Sequence, residues 1–363
     1  MKKILIAIAT FFSTVSIGLA CTDFRVMAED GSVIVTRSME FSIDMKSNLI
    51  SSPREKEFKM IASNGKPGLT WKAKYGYIFL DSMGLGVPVD GMNEEGLSYE
   101  ALLFPDEAGY QTVTDTNAAQ AISYLHFGDW ILGNFKTVDE VREAVKNIVV
   151  IDEKLPQLDN QSFPVHFSIF DKSGKGVVIE YVKGKLNVYD HMGVMTNSPT
   201  YDWQVINLRN YVQLSPSNPK PIIAQGVTYA ATGQGAGMLG LPGDISPPSR
   251  FVKMAVMLNT IQKPKDAAEA LNVSQHMINN VDIPLGFVRE NQNNNQATLE
   301  LTQWVVFKDL TGKKMYYRTY DDLTLKEIDL AKVDLSPNAA SLKMPIASSA
   351  FTVDMTEKFL GSK

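Results

Sequence analysis

Cys21 is the only cysteine among 363 residues, and it follows a stretch built like an export leader. A chain with one thiol cannot close a disulfide within itself, so its fold must rest on a buried core and paired backbone. Met1-Lys2-Lys3 is a short cationic start, Ile4 to Leu19 is largely apolar, and Gly18 and Ala20 stand three and one positions before Cys21. Small residues at those two positions are what signal peptidase I needs. The apolar stretch is short for a membrane span and has no charged stop behind it. The expected division is a cleaved secretion signal, residues 1–20, and one mature domain, residues 21–363, whose first residue carries both a thiol and a free α-amino group. A lipoprotein signal also ends at a cysteine and would acylate both groups, but it wants a large aliphatic residue where Gly18 stands.

Charge narrows the partners. The chain has 35 basic and 40 acidic residues; without Lys2 and Lys3 the balance is 33 against 40, a net charge of −7. Such acidity disfavours nucleic acid and anionic membrane surfaces. The leader and the composition together point to a periplasmic or secreted globular protein with no stable membrane insertion after processing. An unpaired thiol in an oxidising compartment is a liability unless it is buried and inert or is used.

The hydrophobic pattern gives strands, then helices, then strands, helices and strands. Cys21 to Arg25, Ser32 to Arg37, Tyr77 to Leu80 and Gly96 to Phe104 read as strands. Thr116 to Leu132 reads as a helix, and Thr137-Val138-Asp139-Glu140 is a capping box opening another that runs to about Val149. Val165 to Phe170, Val177 to Val182 and Leu186 to Tyr189 read as a meander. Ser249 is the expected N-cap of a helix over Arg250 to Ile261, and Pro264 to Asn279 is the next helix. Trp304 to Lys308 and Lys314 to Thr319 read as a hairpin around Thr311-Gly312. This order predicts an α+β fold of mainly antiparallel sheet layered with helices, not a doubly wound parallel sheet.

The rival motifs lack their context. Gly235-Ala236-Gly237-Met238-Leu239-Gly240 matches the dinucleotide fingerprint, but Pro242, Pro247 and Pro248 follow it, where a helix should open. The four histidines, at 126, 166, 191 and 276, show no zinc-ligand spacing and read as ordinary core or surface residues. No G-x-S-x-G elbow is present. What remains is the chemistry of Cys21. A thiol and an α-amine both titrate near neutrality. A guanidinium favours the thiolate, the amine can carry the proton to a leaving group, and an asparagine amide with a backbone N–H can hold the oxyanion. Neither histidine nor metal is required.

Cys21-Thr22 with Thr36-Arg37-Ser38-Met39-Glu40-Phe41 resembles the amino-terminal signature of the choloylglycine hydrolase family, which includes conjugated bile salt hydrolases and penicillin V acylases. Asp90-Gly91-Met92-Asn93-Glu94-Glu95-Gly96-Leu97, Met195-Thr196-Asn197-Ser198-Pro199, Ser249-Arg250-Phe251-Val252 and Thr302-Gln303-Trp304 continue the resemblance in order along nearly the whole mature chain. It implies the four-layer αββα sandwich of N-terminal-nucleophile hydrolases, cleavage of a linear amide through an acyl-thioester, and no metal or organic cofactor. The small-molecule substrates it allows are conjugated bile salts, penicillin V and N-acyl homoserine lactones. The export signal suggests the Gram-negative branch, and relatives commonly form tetramers.

By the same resemblance Cys21 is the nucleophile and its amine the base, Arg37 and Arg250 lie near the thiol, and Asn197 supplies the oxyanion amide. Glu40 stands where much of the family has an aspartate contacting the nucleophile. Leu103 stands where several relatives carry asparagine or tyrosine, leaving only its backbone N–H as an oxyanion donor. Leu102, Leu103 and Phe104 either line an apolar acyl pocket or pack in the strand core. Taken singly, Arg37 with Glu40 reads as a surface ion pair, Arg250 as a solvated first-turn residue and Asn197 as a turn residue. The alternative function is a lipid-anchored, non-catalytic binding protein on the same scaffold.

Overall fold

A computed structural model of the chain describes residues 20–156, 160–291, 297–349 and 352–360. Residues 1–19, on which the expected secretion signal falls, lie outside the described residues.

Strands β1 (Cys21–Met27), β2 (Val33–Phe41), β3 (Asn48–Ser52), β4 (Glu57–Ile61), β5 (Pro67–Lys72), β6 (Tyr77–Leu80), β7 (Asp90–Asn93) and β8 (Ser98–Leu103) form the first half. After the short strands β9 (Ala121–Ser123) and β10 (Val149–Ile151) come β11 (Val165–Phe170), β12 (Gly176–Val182), β13 (Lys185–Asp190) and β14 (Val194–Met195). A small hairpin, β15 (Ile222–Ala224) with β16 (Val227–Tyr229), precedes β17 (Val288–Asn291), β18 (Ala297–Asp309), β19 (Lys314–Thr319), β20 (Lys326–Asp329) and β21 (Lys343–Pro345). The helices are α1 (Phe127–Asn134), α2 (Val138–Ala144), α3 (Tyr201–Asn207), α4 (Pro247–Thr260), α5 (Ala267–Ile278) and α6 (Thr356–Leu360).

Two antiparallel sheets carry the molecule. One runs β14-β1-β2-β18-β19-β20 with β17 joined to β18; the other runs β13-β12-β11-β8-β7-β6-β3-β21. Helices α4 and α5 pack on β1 and β2, while α1 packs on β7 and β8 and α2 on β12. The layers are therefore helix, sheet, sheet, helix, as the α+β expectation had it. Strands β2, β8 and β11 are buried along their whole length, because each is covered on one face by the other sheet and on the other by helices.

Alternation along each strand sorts residues between these two environments. On β2, Arg37 and Met39 face the opposite sheet, and Glu40 faces the helix layer. The space between the sheets is not purely apolar: it holds Asp23, Arg37, Asp90, Glu100 and Lys308, all fully buried.

Several boundaries differ from the expected ones. The segment expected as a helix from Thr116 shortens to α1, because Ala121–Ser123 instead pairs in parallel with Val149–Ile151 and the Ser123 hydroxyl accepts the Leu125 N–H. The capping box behaves as expected, with the Thr137 hydroxyl accepting the Glu140 N–H, but α2 ends at Ala144. Helix α4 opens at Pro247, with Ser246 rather than Ser249 at its N-cap. Prolines suit a first helical turn, whose N–H groups lack intrahelical partners anyway. Ser249 is drawn inside the helix and donates to Asp244, which also accepts from Ser246; these bonds hold the Asp244 carboxyl down at about 2.

Candidate active site

Cys21 begins β1 at the edge of the interior and is completely buried. Its nitrogen is here a peptide nitrogen, because Ala20 precedes it, and it stands in for the α-amine of a chain cut at that bond. That nitrogen donates to Asn197 Oδ1 at 2.8 Å. The sulfur lies 3.5 Å from Nη2 of Arg37. Cys21 pairs with Met39 across the β1–β2 ladder, so strand register alone places Arg37, two residues away on the same face, beside the thiol.

Arg37 is fixed from the opposite sheet. It donates from Nη2 to the Ala101 carbonyl at 2.9 Å and from Nη1 to the Val89 carbonyl at 3.4 Å, and its guanidinium lies 5.0 Å above the Trp304 ring. Burial on its own would lower its pKa, but the charges of Cys21, Asp90 and Glu40 outweigh burial and raise it. Behind it, Asp90 stands 3.9 Å from Nη1 and accepts a 2.6 Å bond from Lys308, which also lies 2.6 Å from Glu100. Burial opposes the charge on Lys308, yet Asp90, Glu100 and Asp23 raise its pKa; burial lifts the Glu100 carboxyl to about 8 against the pull of Lys308. Sequence reasoning missed this network. Asp90 was noticed only as part of a longer motif, and nothing local marks Lys308 or Glu100 as its partners.

Arg250 reaches the site from α4. Its Nη1 donates to the Cys21 carbonyl and to Thr22 Oγ1, its Nη2 donates to Asn197 Oδ1 at 2.7 Å, and its Nε donates to the Ile245 carbonyl at 2.8 Å. It is fully buried, not a solvated first-turn residue, and burial lowers its pKa against the attraction of Glu40 and Cys21. Asn197 completes the cluster by donating from Nδ2 to the Leu103 carbonyl at 2.8 Å. An asparagine amide has two N–H donors, so one remains for an oxyanion.

The Arg37–Glu40 surface pair does not form, because the two side chains leave opposite faces of β2 and both are buried. Glu40 accepts from Thr302 Oγ1 at 3.0 Å, and its backbone N–H donates to the Ala20 carbonyl. Burial raises its carboxyl to about 8, opposed by Arg250 and by the hydrogen bond from Thr302. Its hydrogen-bond partners thus lie on β18 and just before β1, and none is the Cys21 sulfur.

Leu103 presents its carbonyl to Asn197. An apolar cleft adjoins the carbonyls that hold Arg37, with Met83, Leu85, Val87, Tyr99, Ala101 and Phe163 in its wall. Neither Leu102 nor Phe104 lines this cleft. Leu102 leaves the other face of β8 from Tyr99 and Ala101, and Phe104 stacks on His166 at 4.3 Å. Both pack in the interior.

A second polar cluster joins Ser168, His191 and Asp23. The Ser168 hydroxyl donates to Asp23 at 2.6 Å, and His191 Nδ1 accepts the Gly193 N–H. All three residues are buried, and the serine bonds the acid directly, so they do not form a hydrolytic triad. Among the described residues no group of three or more His, Cys, Asp or Glu side chains is placed to hold a metal, and no helix is long and apolar enough to cross a membrane.

The chain as a whole resembles known proteins in sequence and fold. The family model for linear amide C–N hydrolases of the choloylglycine hydrolase family matches residues 21–347. A bile salt hydrolase/transferase of Clostridium perfringens is 34% identical over 323 residues, 88% of this chain and 94% of that protein. A crystal structure of a variant conjugated bile acid hydrolase from the same organism superposes with a TM-score of 0.79 at 30% identity, covering 92% of this chain and 99% of the other. Penicillin V acylase from Agrobacterium tumefaciens superposes with a TM-score of 0.73 at 26% identity, covering 90% and 92%. The chain belongs to the choloylglycine hydrolase family and is a hydrolase of linear amide C–N bonds.

Proposed function

We propose that this hydrolase uses Cys21 as an N-terminal nucleophile and cleaves N-acyl amides with an apolar acyl group. The observation that carries the reading is that both functional atoms of Cys21 are held by other chain segments, the sulfur by Arg37 and the nitrogen by Asn197. With the bond after Ala20 cut, the thiol proton passes to the α-amine as the sulfur attacks the substrate carbonyl. The oxyanion takes the second Nδ2–H of Asn197, with the Leu103 N–H as candidate second donor. Collapse breaks the C–N bond, and the amine's proton goes to the leaving amine. Water then attacks the thioester, giving its proton to the α-amine, and releases the acid with the thiol restored.

The wall beside Ala101 is apolar and so agrees with an apolar acyl side, although its cavity volume of about 30 Å³ is that of one water and an acyl group must open it further. The similarity to the clostridial enzyme favours conjugated bile salts, with penicillin V and N-acyl homoserine lactones as the other members of the test set. The deciding experiment incubates the processed protein with glycocholate, taurocholate, penicillin V and an N-acyl homoserine lactone and quantifies the released amine. Release from none of them would overturn the substrate reading.

The proposal includes export to the periplasm or beyond, with residues 1–20 removed. An unmodified mature mass beginning at Cys21 supports it, and a diacylglyceryl adduct sinks it. It also includes self-association, as a tetramer. The hairpin β15–β16 supports this by exposing Ile222, Ile223, Val227 and Tyr229 together. A monomeric sedimentation coefficient would refute it.

A further inference from the structure

Asn197 lies in the connection between β14 and α3, and the backbone on both sides of it is gripped by one pair of residues from the opposite sheet. His166 on β11 and Glu180 on β12 stand across from each other on neighbouring strands, one residue beyond the Phe167–Ile179 pairing. Nδ1 of His166 lies 3.0 Å from Oε1 of Glu180, and both side chains are buried, at 1% and 0% exposure. His166 Nε2 lies 2.9 Å from the Thr196 carbonyl, just before Asn197. The Tyr201 N–H donates to Glu180 Oε1 at 3.0 Å, four residues after it.

The proton positions follow from the partners. A carbonyl has no proton to give, so Nε2 carries one and donates. Oε1 already accepts from Tyr201, so the short contact to Nδ1 holds a second proton between ring and carboxyl. Glu180 Oε2 has no hydrogen-bond partner, which concentrates the work of this carboxyl on Oε1. The Phe104 ring lies parallel on the imidazole at 4.3 Å and sets its plane. Phe104 follows Leu103, whose carbonyl holds Asn197 Nδ2, so one strand end steadies both the grip and the gripped amide.

A buried ion pair is a poor way to add stability, since an apolar pair of similar shape does as well or better. What this pair supplies is one donor and one acceptor at fixed points on either side of Asn197. We propose that His166 and Glu180 are positioning residues for amide hydrolysis, fixing the Asn197 side chain between the Cys21 nitrogen and the substrate oxyanion. The inference rests on the reading of Asn197 as the oxyanion donor.

His166→Gln and Glu180→Gln, each assayed with glycocholate and penicillin V, test it. Misplacing an oxyanion donor by about 1 Å costs roughly 10- to 100-fold in rate. The expected result is a loss of that size in kcat, with KM changed less than about 2-fold. Alkylation of Cys21 by iodoacetamide should stay within about 2-fold, because Arg37 and the thiol are untouched; a merely structural defect moves it. In an Asn197→Ala background, either substitution should lower kcat by less than about 2-fold further, since nothing remains to position. Glu180→Gln keeps the shape of the side chain and serves where His166→Gln fails to fold. Unchanged kcat in a folded variant, or losses that multiply with that of Asn197→Ala, overturns the proposal. Full activity in Asn197→Ala alone would instead remove the oxyanion reading beneath it.

Discussion

Asn197 Oδ1 accepts the Cys21 N–H at 2.8 Å, although 176 residues separate the two in sequence. The same oxygen accepts from Arg250 Nη2. Asn197 therefore holds the Cys21 nitrogen with its oxygen, while its amide nitrogen donates to the Leu103 carbonyl and keeps one N–H for the proposed oxyanion. One residue couples the two halves of the proposed chemistry, and the consequences can be measured.

Replacing Cys21 by serine tests the nucleophile. A hydroxyl is a far weaker nucleophile at neutral pH, so turnover should fall by at least about 100-fold with the fold intact. Circular dichroism and amine release check both halves. Near-full activity would mean that the sulfur does not attack.

Keeping one extra residue before Cys21 tests the base. The nitrogen then stays a peptide nitrogen and cannot take a proton, so kcat should drop by roughly 10²–10⁴-fold. Burial of Ala20, whose carbonyl accepts the Glu40 N–H, adds a steric obstacle at the same place. A chain verified by mass to retain Ala20, yet fully active, would refute the role of the amine.

Lys308→Met should be costly. It leaves Asp90 and Glu100 facing each other in the interior without their shared cation, a loss of about 3–5 kcal/mol. Urea unfolding gives the number, and a loss under about 1 kcal/mol would show that the network is not held by that ammonium. In whatever fraction folds, iodoacetamide should react more slowly with Cys21, because the freed Asp90 draws Arg37 towards itself.

Glu40 makes stability depend on pH. Its folded carboxyl is raised to about 8 from an ordinary 4.5, chiefly by burial. Between those values the folded state binds more protons than the unfolded one, so this contribution is present at low pH and is lost as pH rises towards 8. Glu40→Gln removes the titration. On chains retaining Ala20, the stability advantage of wild type over the variant should shrink by a few kcal/mol between pH 5 and pH 8. Parallel stability curves for the two proteins would contradict the buried, proton-holding carboxyl.

Much of the architecture was legible because it is local. Apolar runs bounded by turns marked β6, β11 and β12, the Thr137 capping box marked the start of α2, and the family resemblance of motifs spread along the chain marked Cys21, Arg37, Asn197 and Arg250 as members of one site. The Ser249 cap was misread because Asp244 competes for that hydroxyl. The helix expected from Thr116 was misread because a strand partner 28 residues downstream of Ala121 claims its backbone.

The sequence by itself determined which atoms carry the proposed chemistry: a single thiol placed to share its residue with a free amine, and the arginines and asparagine able to serve it. Only the tertiary structure decided where they point. Strand parity sends Arg37 between the sheets and Glu40 under the helices. It also puts Leu102 on the face of β8 away from the apolar cleft. The pairing of Lys308 with Asp90 and Glu100 depends on two sheets meeting face to face, and so does the reach of His166 and Glu180 to the backbone on either side of Asn197. A side chain's local sequence fixes its charge and its alternation, but its partner across a sandwich is chosen by packing between segments far apart in the chain.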